Sequence, residues 1–306
     1  MRADGGPHGW LVIDKPLGLS SNRVVGVVRR LTGTKVGHAG TLDPLATGVL
    51  PIAVGEATKT TAYAMDGRKC YRFRIQWGVA RATDDREGRI VAECASRPSR
   101  AAIEEIVPRF TGTILQSPPP YSAIMVDGRR AYKLARAAAL PVLTARAVEI
   151  AALRLVAVPD RDHADCEALV GKGTYIRALA RDLAAALGTY GHVAELRRLS
   201  VGRFTVERAI SLDSAIEHRH SLRASGYLLP IETALDDIPA LALTAAQATR
   251  VRCGQRVTQH DIGLPAIFDR FADGQVVSVW YDRAVIALAK VESGGLRPVR
   301  VIRCEL

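Results

Sequence analysis

One carboxylate, one imidazole, three glycines and a proline fall within fourteen positions of the run Gly37-His38-Ala39-Gly40-Thr41-Leu42-Asp43-Pro44-Leu45-Ala46-Thr47-Gly48-Val49-Leu50. The run has neither a helical nor a strand period. Its glycines permit positive φ or close approach of a ligand, and Pro44 biases Asp43 away from the αR region. It reads as a rigid loop that presents Asp43 and His38 and ends at the apolar stretch Val49–Val54. A carboxylate on such a loop can attack an electrophile or stabilise positive charge that builds in a transition state. An aspartate before proline is also a common turn former, and the loop alone leaves both readings open.

Further polar residues sit on other glycine-bearing segments: Lys15, Lys59, Tyr71, Tyr175 and Arg177. Gly171-Lys172-Gly173-Thr174 imitates a phosphate-binding loop but fails it, because Cys166 stands where the first glycine belongs and Gly173 where Ser or Thr must follow the lysine. No G-x-G-x-x-G opens a helix after a strand, and no G-x-S-x-G or H-E-x-x-H occurs. Nucleotide hydrolysis, dinucleotide redox chemistry, serine hydrolysis and zinc hydrolysis lose support.

The elements that must position these residues are readable. Trp10-Leu11-Val12-Ile13 is a short buried strand running into a turn at Asp14–Gly18. Ser20 and Ser21 can cap the next helix, which Gly33 stops. A strand over 49–54 and a short helix near 56–65 follow, with Lys59 opening that helix. Tyr71 to Trp77 alternates as a half-buried strand, and Ile90-Val91 is expected as its partner. Tyr71 shares a strand face with Phe73 and Ile75. Helices are expected over 99–110 and 129–139, strands over 142–158, and a strongly amphipathic helix over 174–187 closed by Gly188. No regular βαβ repeat appears. The expected fold is α+β, with a mixed, largely antiparallel central sheet flanked by helices. Beyond about residue 240, Val276–Tyr281, Val285–Ala289 and Val299–Ile302 are short strands between Gly and Asp turns, which predicts a small β-barrel module. Domains are therefore expected at 1–235 and 240–306.

Lysines and arginines number 42 against 31 acidic residues, a net charge of +11, and only seven are lysines. That excess favours an anionic partner, and arginine suits phosphates and bases. Residues 15–81 alone carry eleven basic and three acidic residues, net +8 around the Asp43 loop. Five scattered cysteines without a C-x-x-C pair point to reduced thiols in the cytoplasm and to no zinc site. No secretory signal or membrane-spanning stretch is evident; the longest uncharged run, 111–126, holds Pro118-Pro119-Pro120.

Four segments together resemble the TruB family of tRNA pseudouridine synthases: Asp14–Gly18 with Ser20-Ser21, the loop at 37–48, Tyr121-Ser122-Ala123, and Gly173–Arg177. Their order and spacing, with Leu196–Phe204, match from residue 10 to about 210, and the tail resembles a PUA-like RNA-binding module more weakly. The resemblance implies a pseudouridine synthase fold and cofactor-free isomerisation of the T-loop uridine 55 of tRNA. Asp43 matches the catalytic aspartate, Arg177 its arginine partner, and Tyr71 an active-site aromatic that stacks on an everted uracil or moves a proton. Tyr175 and Leu199 match pocket residues. His38 matches a histidine that fills space in the T loop, Lys15 a supporting lysine, and Lys59 a phosphate contact. Met125 stands where the family commonly has lysine, which puts one RNA or sheet-edge contact in doubt. The expected partner is the tRNA T arm, engaged by a monomer with no membrane and no metal. Two alternatives remain: a guide-RNA-dependent synthase, or a tRNA-folding chaperone.

Overall fold

In a computed structural model the chain is described at residues 6–303 except 123, 127, 137–142, 223, 259–260 and 262–269. Among the described residues eleven strands form one mixed sheet. Its spine runs Ile210–Ser211, Gly9–Lys15, Ala46–Val54, Gly191–Val201, Lys69–Trp77, His163–Val170, Arg146–Asp160 and Gly112–Gln116. Along this spine the pairs are antiparallel except Gly9–Lys15 with Ile210–Ser211, and Ala46–Val54 with Gly191–Val201.

The continuous apolar run at 10–13 follows from burial on both faces of the sheet. Leu11 and Ile13 join one core with Val24, Val28, Leu179 and Leu183, from the helices Ser21–Thr32 and Ile176–Ala186. Trp10 and Val12 point the other way, into a second core with Phe204, Val285, Leu288 and Ile302. The C-terminal segment therefore covers the face opposite the two helices. Ser20 caps the first helix by accepting from the Arg23 N–H, and Gly33 ends it in the left-handed region at φ 65°.

The C-terminal strands pair in the order Ala240–Ala242, Val276–Tyr281, Ala284–Glu292, Gly295–Val301 and Val257–Thr258, beside the helix Ala245–Arg252. This described path is a half-barrel, at the place where a small β-barrel module was expected. Lys59 fastens it to the main sheet: its Nζ donates to Glu56 Oε2 at 2.5 Å and to the Val301 carbonyl at 2.7 Å. The Arg303 N–H completes the clasp on Glu56 at 2.5 Å.

Several expected elements differ. Ile90-Val91 pairs with Val79–Arg81, not with Lys69–Trp77, because both edges of the latter are occupied by His163–Val170 and Gly191–Val201. The expected helix at 99–110 ends at Ile106 and tightens into a 3₁₀ turn at Val107–Phe110, where Pro108 sits at the start. The helix expected over 129–139 spans Ala131–Arg136, and 137–139 lie outside the described residues. Of the strands expected over 142–158, Val142 lies outside them, and the observed strand is Arg146–Asp160. Lys59 ends the 3₁₀ turn Gly55–Lys59 where it was expected to open a helix.

The parallel junction beside the Asp43 loop depends on Gly48. At φ 100°, a Cβ there would meet the Arg198 carbonyl oxygen at 2.1 Å. Gly18 also has positive φ, at 82°, yet a Cβ there would meet nothing within 4 Å. Gly48→Ala should therefore destabilise the fold by at least about 2 kcal/mol, and Gly18→Ala by only about 1 kcal/mol. Urea melts of the two variants measure this; equal losses would contradict the close approach.

Candidate functional site

The sheet order brings the Asp43 loop and the start of the helix Ile176–Ala186 to one cleft of about 660 Å³. Arg177 Nε lies 2.9 Å from Asp43 Oδ2, with the guanidinium side chain 6% exposed and the carboxylate 38% exposed. One partner is locked in the protein and the other faces the opening. Arg177 is held on its remaining nitrogens: Nη1 donates to the Thr83 carbonyl at 2.9 Å, and Nη2 to the Tyr121 carbonyl at 3.0 Å. Asp85 Oδ2 stands 3.5 Å from Nη1, and that carboxylate is 5% exposed. Asp85 is itself fixed, accepting from Thr83 Oγ1 at 2.5 Å and from the Glu87 N–H at 3.0 Å.

One helical turn on, Arg181 pairs with Asp84 at 2.8 Å. Residues i and i+4 share a helix face, so two consecutive aspartates meet two arginines of one helix. Asp84 takes a left-handed backbone, φ 58°, which aims the adjacent carboxylates at successive turns. Burial pushes the Asp84 carboxyl up from its ordinary range, and the charge of Arg181 opposes that shift.

The loop that carries Asp43 is held from beneath. Arg198 is 1% exposed. Its Nε donates to the Val49 carbonyl at 2.7 Å, Nη2 to Gly40 at 3.0 Å and Nη1 to Thr41 at 3.3 Å. One guanidinium thus ties the loop to the strand that follows it. Ser21 Oγ donates to the Leu42 carbonyl at 3.0 Å and accepts from its N–H at 2.8 Å. Lys15, wholly buried, donates to the carbonyls of Leu19 at 2.8 Å, Pro16 at 2.9 Å and Pro44 at 3.4 Å. Burial pushes its ammonium down to about 8, with the Asp43 charge opposing.

Tyr71 and Tyr175 both line the cleft and are half-buried. The Tyr175 N–H donates to Gln116 Oε1 at 2.8 Å, and burial raises the phenol pKa. Tyr121 and Ser122 also line the cleft; Ala123 lies outside the described residues. Four expected site residues, Lys15 beneath the loop among them, do not line the cleft. His38 ends the strand Val36–His38, and its Nδ1 is buried without a partner. Lys59 is occupied at the C-terminal clasp. Leu199 sits at a bulge between Arg198 and Ser200, and Leu196 forms the cleft wall in its place. Met125 is exposed on the hairpin of Met125–Val126 with Arg129–Arg130. Among the described residues no group of three or more His, Cys, Asp or Glu could hold a metal ion.

Asp85, Arg198 and Lys69 are cleft residues beyond those expected. For Asp85 the only signal in the sequence was two adjacent acids within an arginine-rich stretch. Arg198 carried none, since a cation bonded solely to backbone carbonyls leaves no complementary acid to find.

Residues 29–176 match the family model described as TruB family pseudouridylate synthase (N terminal domain). Residues 177–236 match that of the tRNA pseudouridylate synthase B C-terminal domain. The chain belongs to the TruB family. The boundary between the two models separates Asp43 from Arg177, yet the second segment's strand Gly191–Val201 lies between two strands of the first. A protein of Rhodospirillum rubrum named tRNA pseudouridine synthase B is 50% identical over 296 residues, covering 96% of each chain. One of the same name from Bradyrhizobium diazoefficiens is 51% identical over 301 residues, covering 96% of this chain and 85% of that one. A chain in the crystal structure of a Cbf5-Nop10-Gar1 complex superposes with a TM-score of 0.74 at 22% identity, covering 97% of this chain and 85% of that one. This likeness shows the pseudouridine synthase fold.

Lys15 makes stability depend on pH. Its folded value of about 8 lies below the ordinary 10.5. Between those values the unfolded chain binds a proton that the folded chain has released, so stability from this group rises with pH. Wild type should gain on Lys15→Met between about pH 7.5 and about pH 9.5, by at most about 1.4 kcal/mol per pH unit. Paired urea melts check this; a constant or shrinking gap would contradict the burial of the charge.

Proposed function

We propose that this chain isomerises uridine to pseudouridine in tRNA, at the T-loop uridine 55, without a cofactor. The observation that carries the reading is the Asp43 carboxylate, 2.9 Å from the buried Arg177 guanidinium and open to a cleft shared with Tyr71 and Tyr175. The relatives named tRNA pseudouridine synthase B, matched over nearly their full length, support tRNA as the substrate.

The reaction is an isomerisation. The bond from C1′ to N1 breaks, the uracil turns, a bond from C1′ to C5 forms, C5 loses its proton and N1 gains one. No electrons enter or leave. Asp43 supplies the negative oxygen, either by attack on the base or sugar or by stabilising charge on the ribose. Arg177 orients that carboxylate. The base must leave its stack to reach it, and Tyr71 and Tyr175 offer apolar faces to receive it. Asp85 holds Arg177 in place, and Lys15 and Arg198 hold the loop.

RNA binding combines phosphate contacts with recognition of the T-arm shape, and the C-terminal half-barrel grips RNA farther from the cleft, as a PUA-like module does. The fold uses part of the basic excess internally: Lys59, Arg68 and Arg74 are ion-paired, and Lys15 and Lys69 are buried. Exposed cations around the loop, such as Arg23, Arg30 and Arg72, are available to RNA. A cytoplasmic, monomeric enzyme fits this substrate. Likeness to the chain of the Cbf5-Nop10-Gar1 complex is at the level of fold, whereas the relatives near 50% identity carry the tRNA enzyme's name.

Asp43→Asn should reduce pseudouridine formation on unmodified tRNA transcript by about a thousand-fold or more, while tRNA affinity stays within about three-fold. Pseudouridine mapping and filter binding measure the two; equal loss of both would make Asp43 a structural residue. Affinity should also fall with salt at a log–log slope of about −3 or steeper. A flat titration would remove the phosphate-contact picture.

A further inference from the structure

Lys69 begins the strand Lys69–Trp77, two residues before Tyr71. Alternate residues of a strand share a face, so its side chain stands on the Tyr71 side, roughly 6.6 Å along. Both residues line the cleft. Lys69 is only 8% exposed, and among the described residues its Nζ donates to the Met65 carbonyl and pairs with no carboxylate.

Its charged neighbours deepen the imbalance. Burial pushes the ammonium down to about 8, and the charges of Arg198 and Lys172 push the same way. Asp66 opposes them, but that carboxylate is already paired with Lys172 at 2.9 Å. Arg198 is spent on backbone carbonyls. Removing an ammonium from water without a matching anion is costly. A methionine would fill the same space without that penalty. The turn Gly171-Lys172-Gly173-Thr174, which fails as a nucleotide-binding loop, lines the cleft with Lys69.

We propose that Lys69, with Lys172 beside it, forms a subsite for an RNA phosphodiester, taking one of the two phosphates that flank the everted uridine. The subsite rests on the RNA-isomerase reading above. A lysine ammonium is a compact point charge suited to phosphate oxygen. In this sheltered position the contact is stronger than on an exposed surface, because water screens it less. The position next to Tyr71 places the charge beside the base-stacking surface, where the backbone of an everted nucleotide must pass. Binding RNA then supplies the anion that the folded protein lacks, and Lys69 acts on register and affinity rather than on bond breaking.

The test uses T-arm stem–loop RNA with a neutral methylphosphonate in place of the phosphate 5′ or 3′ to the target uridine. Binding is measured with wild type, Lys69→Met and Lys69→Arg. One of the two neutralisations should weaken wild-type binding about ten-fold, weaken Lys69→Met less than about two-fold, and retain most of its effect in Lys69→Arg. Lys69→Met loses a buried charge, so its melting temperature should equal or exceed that of wild type. If neither neutralisation weakens wild type, or if the chosen one weakens Lys69→Met equally, the subsite is overturned. Pseudouridine formed by wild type on unmodified RNA is scored in the same samples. Its absence overturns the isomerase reading itself, whereas its presence without phosphate dependence overturns only the subsite.

Discussion

The cleft depends on one guanidinium that serves four acceptors. Arg177 reaches Asp43, Asp85 and the carbonyls of Thr83 and Tyr121. These acceptors come from three separate segments, the loop at 37–48, the turn after Val79–Arg81 and the segment after the triple proline, and the arginine that joins them comes from a fourth, the helix Ile176–Ala186. A fork of fixed N–H directions can satisfy several acceptors only if each segment stands at its proper place. The ion pair with Asp85 is buried on both sides, and removing one member of such a pair costs about 3–5 kcal/mol. Asp85 thereby anchors Arg177 independently of Asp43. The outer carboxylate, Asp43, is left free to face the cleft opening.

A second buried guanidinium solves a different problem. The loop between His38 and Ala46 has few backbone partners of its own, yet the pair with Arg177 requires its carboxylate to stand at one place. Arg198 supplies donors to carbonyls on both sides of Asp43, and the strand that carries it pairs in parallel with the strand leaving the loop. Gly48 permits the contact, because any Cβ would strike the Arg198 carbonyl. Lys15 and Ser21 add donors from a third direction. Charge-assisted bonds to three carbonyls offset the desolvation of Arg198. The loop owes its order mainly to side chains that reach it from elsewhere.

This division explains what could be read from the sequence. The helix Ser21–Thr32 was legible at both ends because Ser20 and Gly33 are local signals. The loop and its carboxylate were legible because glycine and proline announce unusual backbone. The Ile90-Val91 pairing was not, since edge occupancy is decided by His163–Val170 and Gly191–Val201, far away in the chain. Asp85 and Arg198 were hidden for the same reason: their partners are brought together by topology. Lys59 looked like an RNA contact because an exposed lysine and a clasp to residue 301 have the same local sequence. Leu199 yields the wall to Leu196 because alternation along the strand puts residues 196 and 198 on the cleft face and 199 on the other.

The charge pattern has the same origin. A net of +11 suggests a surface coated for RNA, but several of these cations do structural work. Lys15 and Arg198 hold backbone carbonyls, Arg177 holds aspartates, and Arg74 spans adjacent strands to Asp165 at 2.7 Å. Surface pairs of this kind contribute little stability, whereas the buried ones define the cleft. Lys69 differs from both: it is buried and donates to the Met65 carbonyl, yet among the described residues it pairs with no carboxylate. A buried cation without a carboxylate takes its counter-charge from outside the protein, and a nucleic acid delivers that charge at the moment the cleft is filled.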